Sequence, residues 1–411
     1  MATGAARRVF AGDAVQPSWS PHGHRLAYWS VVGGQRDLWT IRADGTDPQR
    51  ITNDATVDWG PVWAPDGKHL YFTSNRGGSM NLWRVAIDEA TGKALAAPEP
   101  ITVPAQFVAY LSISADGRRL LYGSLDLTSQ VFRMAFDPAA GKVVGAPMPV
   151  TMGSRFWFFA APSPDGEWVA MCSMLGQEDI YVVRADGTGL RQLTNDAAND
   201  RGPEWSPDGK RLAFFSNRGG EYNVWMIDAD GSNLQQITHA AGGMAHPIWS
   251  PDGKRLIAQR SLNLGRNIIV DLTEPWSEQS VEPLPEMSGA RFVPRSWSAD
   301  GLTLAGTRGG AGPGVPAAVV IYSFQTRTYR QVAESGHGPV WLNDSRRLLY
   351  VTDRVPAGAG PDEVRLLDTA TGQSQQVSGE LTGGVSLSRD NRQLVFMRHS
   401  NEGDVWMLTL K

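Results

Sequence analysis

The chain has one cysteine in 411 residues, Cys172. A lone cysteine can form no intramolecular disulfide and no cysteine metal cluster. It lies in the apolar run 168–173, where a buried, unreactive thiol is expected. No stretch reaches the roughly 18 apolar residues of a membrane span. Residues 1–10 lack the apolar core of a secretory signal. The chain is therefore expected to be cytoplasmic or, the preferred reading, a piece of a longer protein, which would be periplasmic or extracytoplasmic. Charge of one sign is also scarce. Lys and Arg number 38 against 42 Asp and Glu, a net charge of −4 without a long basic run. That excludes non-specific binding to nucleic acid.

Catalytic signatures are missing as well. There is no Gly-x-Ser-x-Gly elbow, no His-Glu-x-x-His and no phosphate-cradling Gly loop followed by Lys-Ser/Thr. The seven histidines form no cluster. His22 and His24 flank Gly23, but His22 replaces a turn aspartate found in most of the other repeats described below. No catalytic residue, metal or cofactor is expected, and the chain reads as a non-enzyme.

Turn chemistry is what the sequence has in abundance, with 45 glycines and 26 prolines. Residues 202–238 hold four short strand-like runs separated by turns. Their centre is Trp205-Ser-Pro-Asp-Gly209. Pro sets the backbone at the second turn position, Asp bonds its own backbone and Gly accepts positive φ. Apolar residues flank the turn on both sides, which is a hairpin signal. The same motif begins at residues 19, 63, 113, 162, 205, 249, 297, 341 and 387, in steps of 44, 50, 49, 43, 44, 48, 44 and 46. That is the period of a four-stranded propeller blade.

Each repeat reads as strands A to D. In repeat one these are 16–19, 25–29, 37–41 and 49–52, and in repeat two 61–63, 69–73, 81–87 and 99–102. Repeats three and four put Ile113 and Pro162 in place of Trp, with B strands at 119–122 and 168–172 and C strands at 131–136 and 180–183. Repeat nine ends with strand C at 404–410 and lacks strand D. Residues 6–10 are expected to supply it and close the ring, removing an exposed edge. The expected fold is one all-β propeller domain over 1–411 with nine blades, the alternative being eight with one repeat irregular. A Gly/Pro-rich segment, 308–316, and an acidic one, 273–285, read as surface loops.

The turn aspartates Asp66, Asp116, Asp165, Asp208, Asp252 and Asp300 belong to structure. The informative positions lie just before each motif, where a fixed frame carries side chains that vary between repeats. In a propeller this segment lines one mouth of the central channel. The candidate ligand-binding residues are Trp59, Tyr110, Trp157, Phe158, Arg201, His246, Arg295 and His337. Aromatics and arginine are what binding hot spots use. The run Phe156 to Phe159 is the sharpest feature. Arg201, Arg291 and Arg295 suit bidentate bonds to a carboxylate or phosphate.

The Ser-Pro-Asp-Gly turn, the Ser-Asn-Arg-Gly-Gly loop at 74–78 and 216–220, and the Asp-Gly turn before Leu-Gln-Gln-Ile-Thr238 carry a resemblance. Together they resemble the WD40-like repeat of the TolB-type β-propeller family over nearly the whole chain. That resemblance implies a noncatalytic scaffold, since such propellers bind partner proteins in the bacterial envelope. Similar arrays form the sensor parts of bacterial kinases and winged-helix regulators. The expected partner is a protein, peptide or small ligand at the channel mouth, and the expected state is a monomer. Some relatives resemble metal-dependent sugar lyases with His and Gln ligands. Gln16, His246 and His337 would be the candidates here, but they belong to repeats one, six and eight, too far apart around a wide ring to meet at one ion.

Overall fold

The computed structural model describes residues 7–10, 14–32, 35–54, 56–77, 79–101, 103, 105, 107–174, 177–260, 267–278, 282–309, 317–352, 363–378 and 384–410. Residue 6 of the expected closing strand and parts of both expected loops lie outside them. Among the described residues the chain is all β apart from one 3₁₀ turn, Trp276–Glu278. No helix among them is long and apolar enough to cross a membrane. Six of the sheets are antiparallel and run A-B-C-D in sequence order. Repeat two adds a short fifth strand, Lys93–Ala94, beside its strand C.

The turn motif does what its residues dictate. Ser206 Oγ donates to Asp208 at 2.6 Å and accepts from the Arg211 amide at 2.9 Å, while Gly209 N–H bonds the Ser206 carbonyl at 2.9 Å. The same Ser–Asp bond recurs at Ser163, Ser250, Ser298 and Ser388. Each proline also reaches the next repeat. A Cβ built on Gly209, Gly253 or Gly301 would meet the ring of Pro164, Pro207 or Pro251 at 3.6 Å.

The chain falls into two compact units: residues 1–127 with 175–177 and 400–411, and residues 128–174 with 178–399. In the first, a shared core of Leu38, Trp63 and Phe72 joins repeat one to repeat two. Another, with Leu82, Val108, Leu120 and Leu408, joins repeat two to strands A and B of repeat three and the end of repeat nine.

Repeats three and nine depart from expectation. Neither turns from B to C. Each continues as one strand, Arg119–Asp137 and Gln393–Thr409, and these two pair with each other. In the second compact unit, strands A and B of repeat nine are therefore completed by strand C of repeat three, where Phe136 N–H bonds the Arg392 carbonyl at 2.8 Å. Strand D is Lys142–Pro149. This composite sheet is cored against repeat eight by Met134, Leu349 and Phe396, and against repeat four by Val131, Trp157 and Val395. Further cores link four to five, five to six, six to seven and seven to eight. Each of these sheets thus shares a core with the next.

Because repeats three and nine pool their strands, the sheets among the described residues do not match the nine repeats one to one. Residues 7–9 lie against the turn of repeat one, where Arg7 donates to the Ala43 carbonyl at 2.8 Å and the Val9 carbonyl faces Gly45. The outer segments of other repeats take the same place on the repeat that follows, Val150 facing Gly187 and Leu193 facing Gly231.

The Ser-Asn-Arg-Gly-Gly loops carry an ionic latch. Arg218 donates to Asp200 at 2.5 Å, to Asp196 at 2.7 Å and to Ser216 at 3.0 Å, and its guanidinium lies 5.0 Å from the Trp225 ring. Arg76 repeats the arrangement with Asp58, Asp54, Ser74 and Trp83. Asp200 is fully buried. Burial holds its carboxyl above the usual range even though Ser216 and Arg218 pull it down. Arg218→Met leaves that carboxylate buried without its counter-charge, and urea denaturation should register a loss of about 3–5 kcal/mol. A loss under about 1 kcal/mol, the worth of a surface pair, would contradict the latch.

Candidate functional site

The innermost strand of most repeats carries a β-bulge just before the motif. The residue three places ahead of the motif takes a left-handed backbone: Gln16, Gly60, Tyr110, Phe159, Gly202, His246 and Gly338, all with φ of 51–61°. Glycine takes this freely, and at Gly202 a Cβ would strike Phe215 at 2.7 Å. Gln, Tyr, Phe and His pay about 1 kcal/mol or more for it. Bulges re-aim side chains and gather near functional sites. Repeat seven has Pro294 at this place, whose ring forbids positive φ. Its bulged residue is Arg295.

In the second compact unit the six innermost strands enclose a cavity of about 260 Å³ at the turn end. Trp205, Ile248, Trp249, Trp297 and Val340 are among its apolar walls, and Glu204 and Arg295 face into it. At its rim Arg389, standing where five of the other turns have proline, donates to the Pro207 carbonyl at 2.6 Å. Enclosure raises the Glu204 carboxyl to about 7, against the pull of Arg295. Solvent inside the cavity reaches this carboxylate and screens part of that penalty. Desolvation by the walls lowers the Arg295 guanidinium from its ordinary value, with Glu204 opposing, but the residue is solvent-exposed and water screens much of the effect.

Toward the start of the strands lies His246. Its ring packs 4.8 Å from Phe215 and 5.7 Å from Phe159. Burial, then Arg295, Arg201 and Arg291, lower it to about 4, so it is neutral at neutral pH. Phe158 packs on Phe159 with ring centroids 4.4 Å apart. The arrangement can bind through charge and stacking, and Glu204 can hold or release a proton near pH 7.

The candidates thus divide. Phe158, Arg201, His246 and Arg295 share one neighbourhood. Arg201 is already engaged, donating to Glu178 at 2.7 Å with its guanidinium 5.6 Å from the Tyr222 ring. Burial opposes its charge, but Glu178 holds it above its ordinary value. Trp157 is corrected from mouth to core. At 2 % exposure it packs 5.1 Å from Tyr181, because alternation along the strand turns it opposite to Phe156 and Phe158. His337 opens the innermost strand of repeat eight, half-buried.

Trp59 and Tyr110 belong to the first compact unit. Trp59 stacks on Trp29 at 6.4 Å beneath the Arg36 guanidinium, and Tyr110 is 74 % exposed. Gln16, also in that unit, accepts from Trp29 Nε1 at 2.9 Å. Glu204 was missed, although the signal was present. It is the only charged residue directly before a motif in nine repeats, where the others have Ser, Val, Ala or Ile.

Repeats of this period, folded as antiparallel four-stranded sheets about a shared cavity, define a protein of the propeller class. A family model described as the TolB beta propeller domain (PD40) matches residues 1–146 and 112–280, and the chain belongs to that family. It is 48 % identical over 48 residues to the protein TolB homolog of Chlorobium luteolum, covering 12 % of this chain and 11 % of that protein. It is 45 % identical over 42 residues to dipeptidyl-peptidase 5 of Porphyromonas gingivalis, covering 10 % and 6 %. The chain therefore spans only a small share of the length of these curated relatives. Among solved structures, TolB from Acinetobacter baumannii is similar over 86 % of this chain and 84 % of its own, with 14 % identity and a TM-score of 0.47.

A carboxyl raised by the fold favours the folded state only while protonated, so Glu204 weakens the fold as pH rises from the ordinary 4.5 to about 7. Glu204→Gln should therefore melt above the unsubstituted chain at pH 8, with the gap closing by pH 4.5. Melting curves across that range test it, and a gap independent of pH would place Glu204 in bulk-like solvent.

Proposed function

We propose that the chain is a noncatalytic recognition module that holds a protein, peptide or small ligand in the cavity of the second compact unit. The observation that carries this is one cavity with apolar walls and two opposite charges, Glu204 and Arg295. Ligand sites take this form: mostly apolar, with few polar groups that fix orientation. A cavity of about 260 Å³ lies just under the range for drug-sized ligands, which suits a small molecule or a short protruding segment. Membership of the TolB β-propeller family supports protein engagement. The reading extends to the sensor part of a longer bacterial regulator or kinase.

One observation favours a second reading. A carboxyl raised above its ordinary range shares the cavity with an arginine, a combination that suits general acid–base work and would make this cavity an active site. Turnover of a bound ligand, abolished in Glu204→Gln, would decide for it.

Affinity capture from native cell extract should compare the unsubstituted chain with Arg295→Met, read by mass spectrometry of protein and small-molecule fractions. Matched melting curves control for folding. The expected result is a species retained by the unsubstituted chain and depleted at least about tenfold by the variant, as loss of one charged hydrogen bond predicts. Equal recovery would reject the cavity as the site.

A further inference from the structure

Two positions in the innermost strands break the repeat in opposite senses of charge. Directly before the motif, only repeat five is charged, with Glu204. One residue earlier, only repeat seven is charged, with Arg295, where the others have Pro, Leu, Ala or Val. The scaffold needs neither residue, since the other repeats build the same strand without them. Repeats five and seven are not neighbours in sequence. Repeat six lies between them and contributes the apolar Ile248 to the same cavity. Among the described residues no hydrogen bond engages either charged head, although each acts electrostatically on the other.

A ligand of one charge sign fits this pair badly. A simple anion gains Arg295 and is opposed by Glu204, and a simple cation meets the reverse. A chain terminus brings only one of the two charges. We infer that the cavity takes a small zwitterion, an amino acid or dipeptide, with its ammonium on Glu204, its carboxylate on Arg295 and its apolar body against Ile248, Trp249 and Val340. The volume of about 260 Å³ admits a ligand of that size. Both charges of the ligand then exchange water for charged hydrogen bonds, which are about twice as strong as neutral ones. His246, neutral beside Phe159 and Phe215, adds no competing charge at neutral pH.

This inference rests on the recognition reading above and names the ligand class. It is tested by calorimetric titration of the full chain with glycyl-leucine, N-acetyl-glycyl-leucine and glycyl-leucine amide. The free dipeptide should bind roughly 10- to 100-fold more tightly than either blocked form. Glu204→Gln should erase the penalty for acetylation, and Arg295→Gln the penalty for amidation. The blocked dipeptides probe the unsubstituted chain, so the outcome does not depend on a variant folding. Equal binding of free and blocked forms, or no saturable heat up to about 10 mM, would overturn the zwitterion class. Binding unchanged in both variants would also overturn it, by locating the dipeptide elsewhere. If a captured protein still depends on Arg295 while the dipeptide fails, the recognition reading stands and only the ligand class falls.

Discussion

Each four-stranded sheet here is apolar on both faces and can bury them only between neighbours. That constraint governs the second compact unit. Leu212 and Phe214 of repeat five face repeat four, while Ala213 and Met226 face repeat six, so alternation along the strands serves two cores at once. Stability is then shared between adjacent sheets, as in other repeat folds. The turn adds a second tie, because its proline lies against the glycine of the next repeat. The latches of Arg76 and Arg218 bind strands of one repeat to the connection arriving from the one before. The frame they hold together fixes the innermost strands, and with them the cavity.

The fold was legible wherever local chemistry decided it. The Ser-Pro-Asp-Gly motif sets a turn through bonds within six residues, and nine copies give period and strand order without any long-range information. The exchange between repeats three and nine lies beyond local reading, since it depends on which distant strand completes a sheet. The N-terminal segment is legible as an outer strand, because residues 7–9 meet the turn of repeat one as Val150 meets that of repeat four.

The neighbourhood shared by Phe158, His246 and Arg295 is legible in the residues before each motif, because the repeat fixes their place and chemistry alone distinguishes them. Trp157 was not legible in this way, because strand alternation sends its side chain into a core, nor was Arg201, whose partner Glu178 arrives from a loop of another repeat. Glu204 is not among the candidates because it stands directly before its motif, nearer to it than any of them, and the cavity is lined by the residues nearest the motif. The charges form a graded set: a carboxyl kept ready to protonate, an arginine deprived of full hydration and an imidazole kept neutral. Desolvation is the first cause in each, and Arg295 acts on both Glu204 and His246.

The composite sheet has a consequence for how the chain reaches its final state. Its strands come from the two ends of the second compact unit, and Ser386 bonds the Ala160 carbonyl across 226 residues of sequence. Joining such distant segments costs about 5 kcal/mol of loop-closure entropy in a fully flexible chain, and pairings of this range form slowly. During synthesis, repeats four to eight can assemble as a growing stack, but the first and last of them keep one apolar face bare until residues 385–399 emerge. The cavity, walled on its last side by that sheet, is complete only afterwards. The last wall of the pocket, with Ser386, Leu387 and Arg389, therefore arrives in a single late step, and a chain interrupted near its end has most of the architecture and an open-sided pocket.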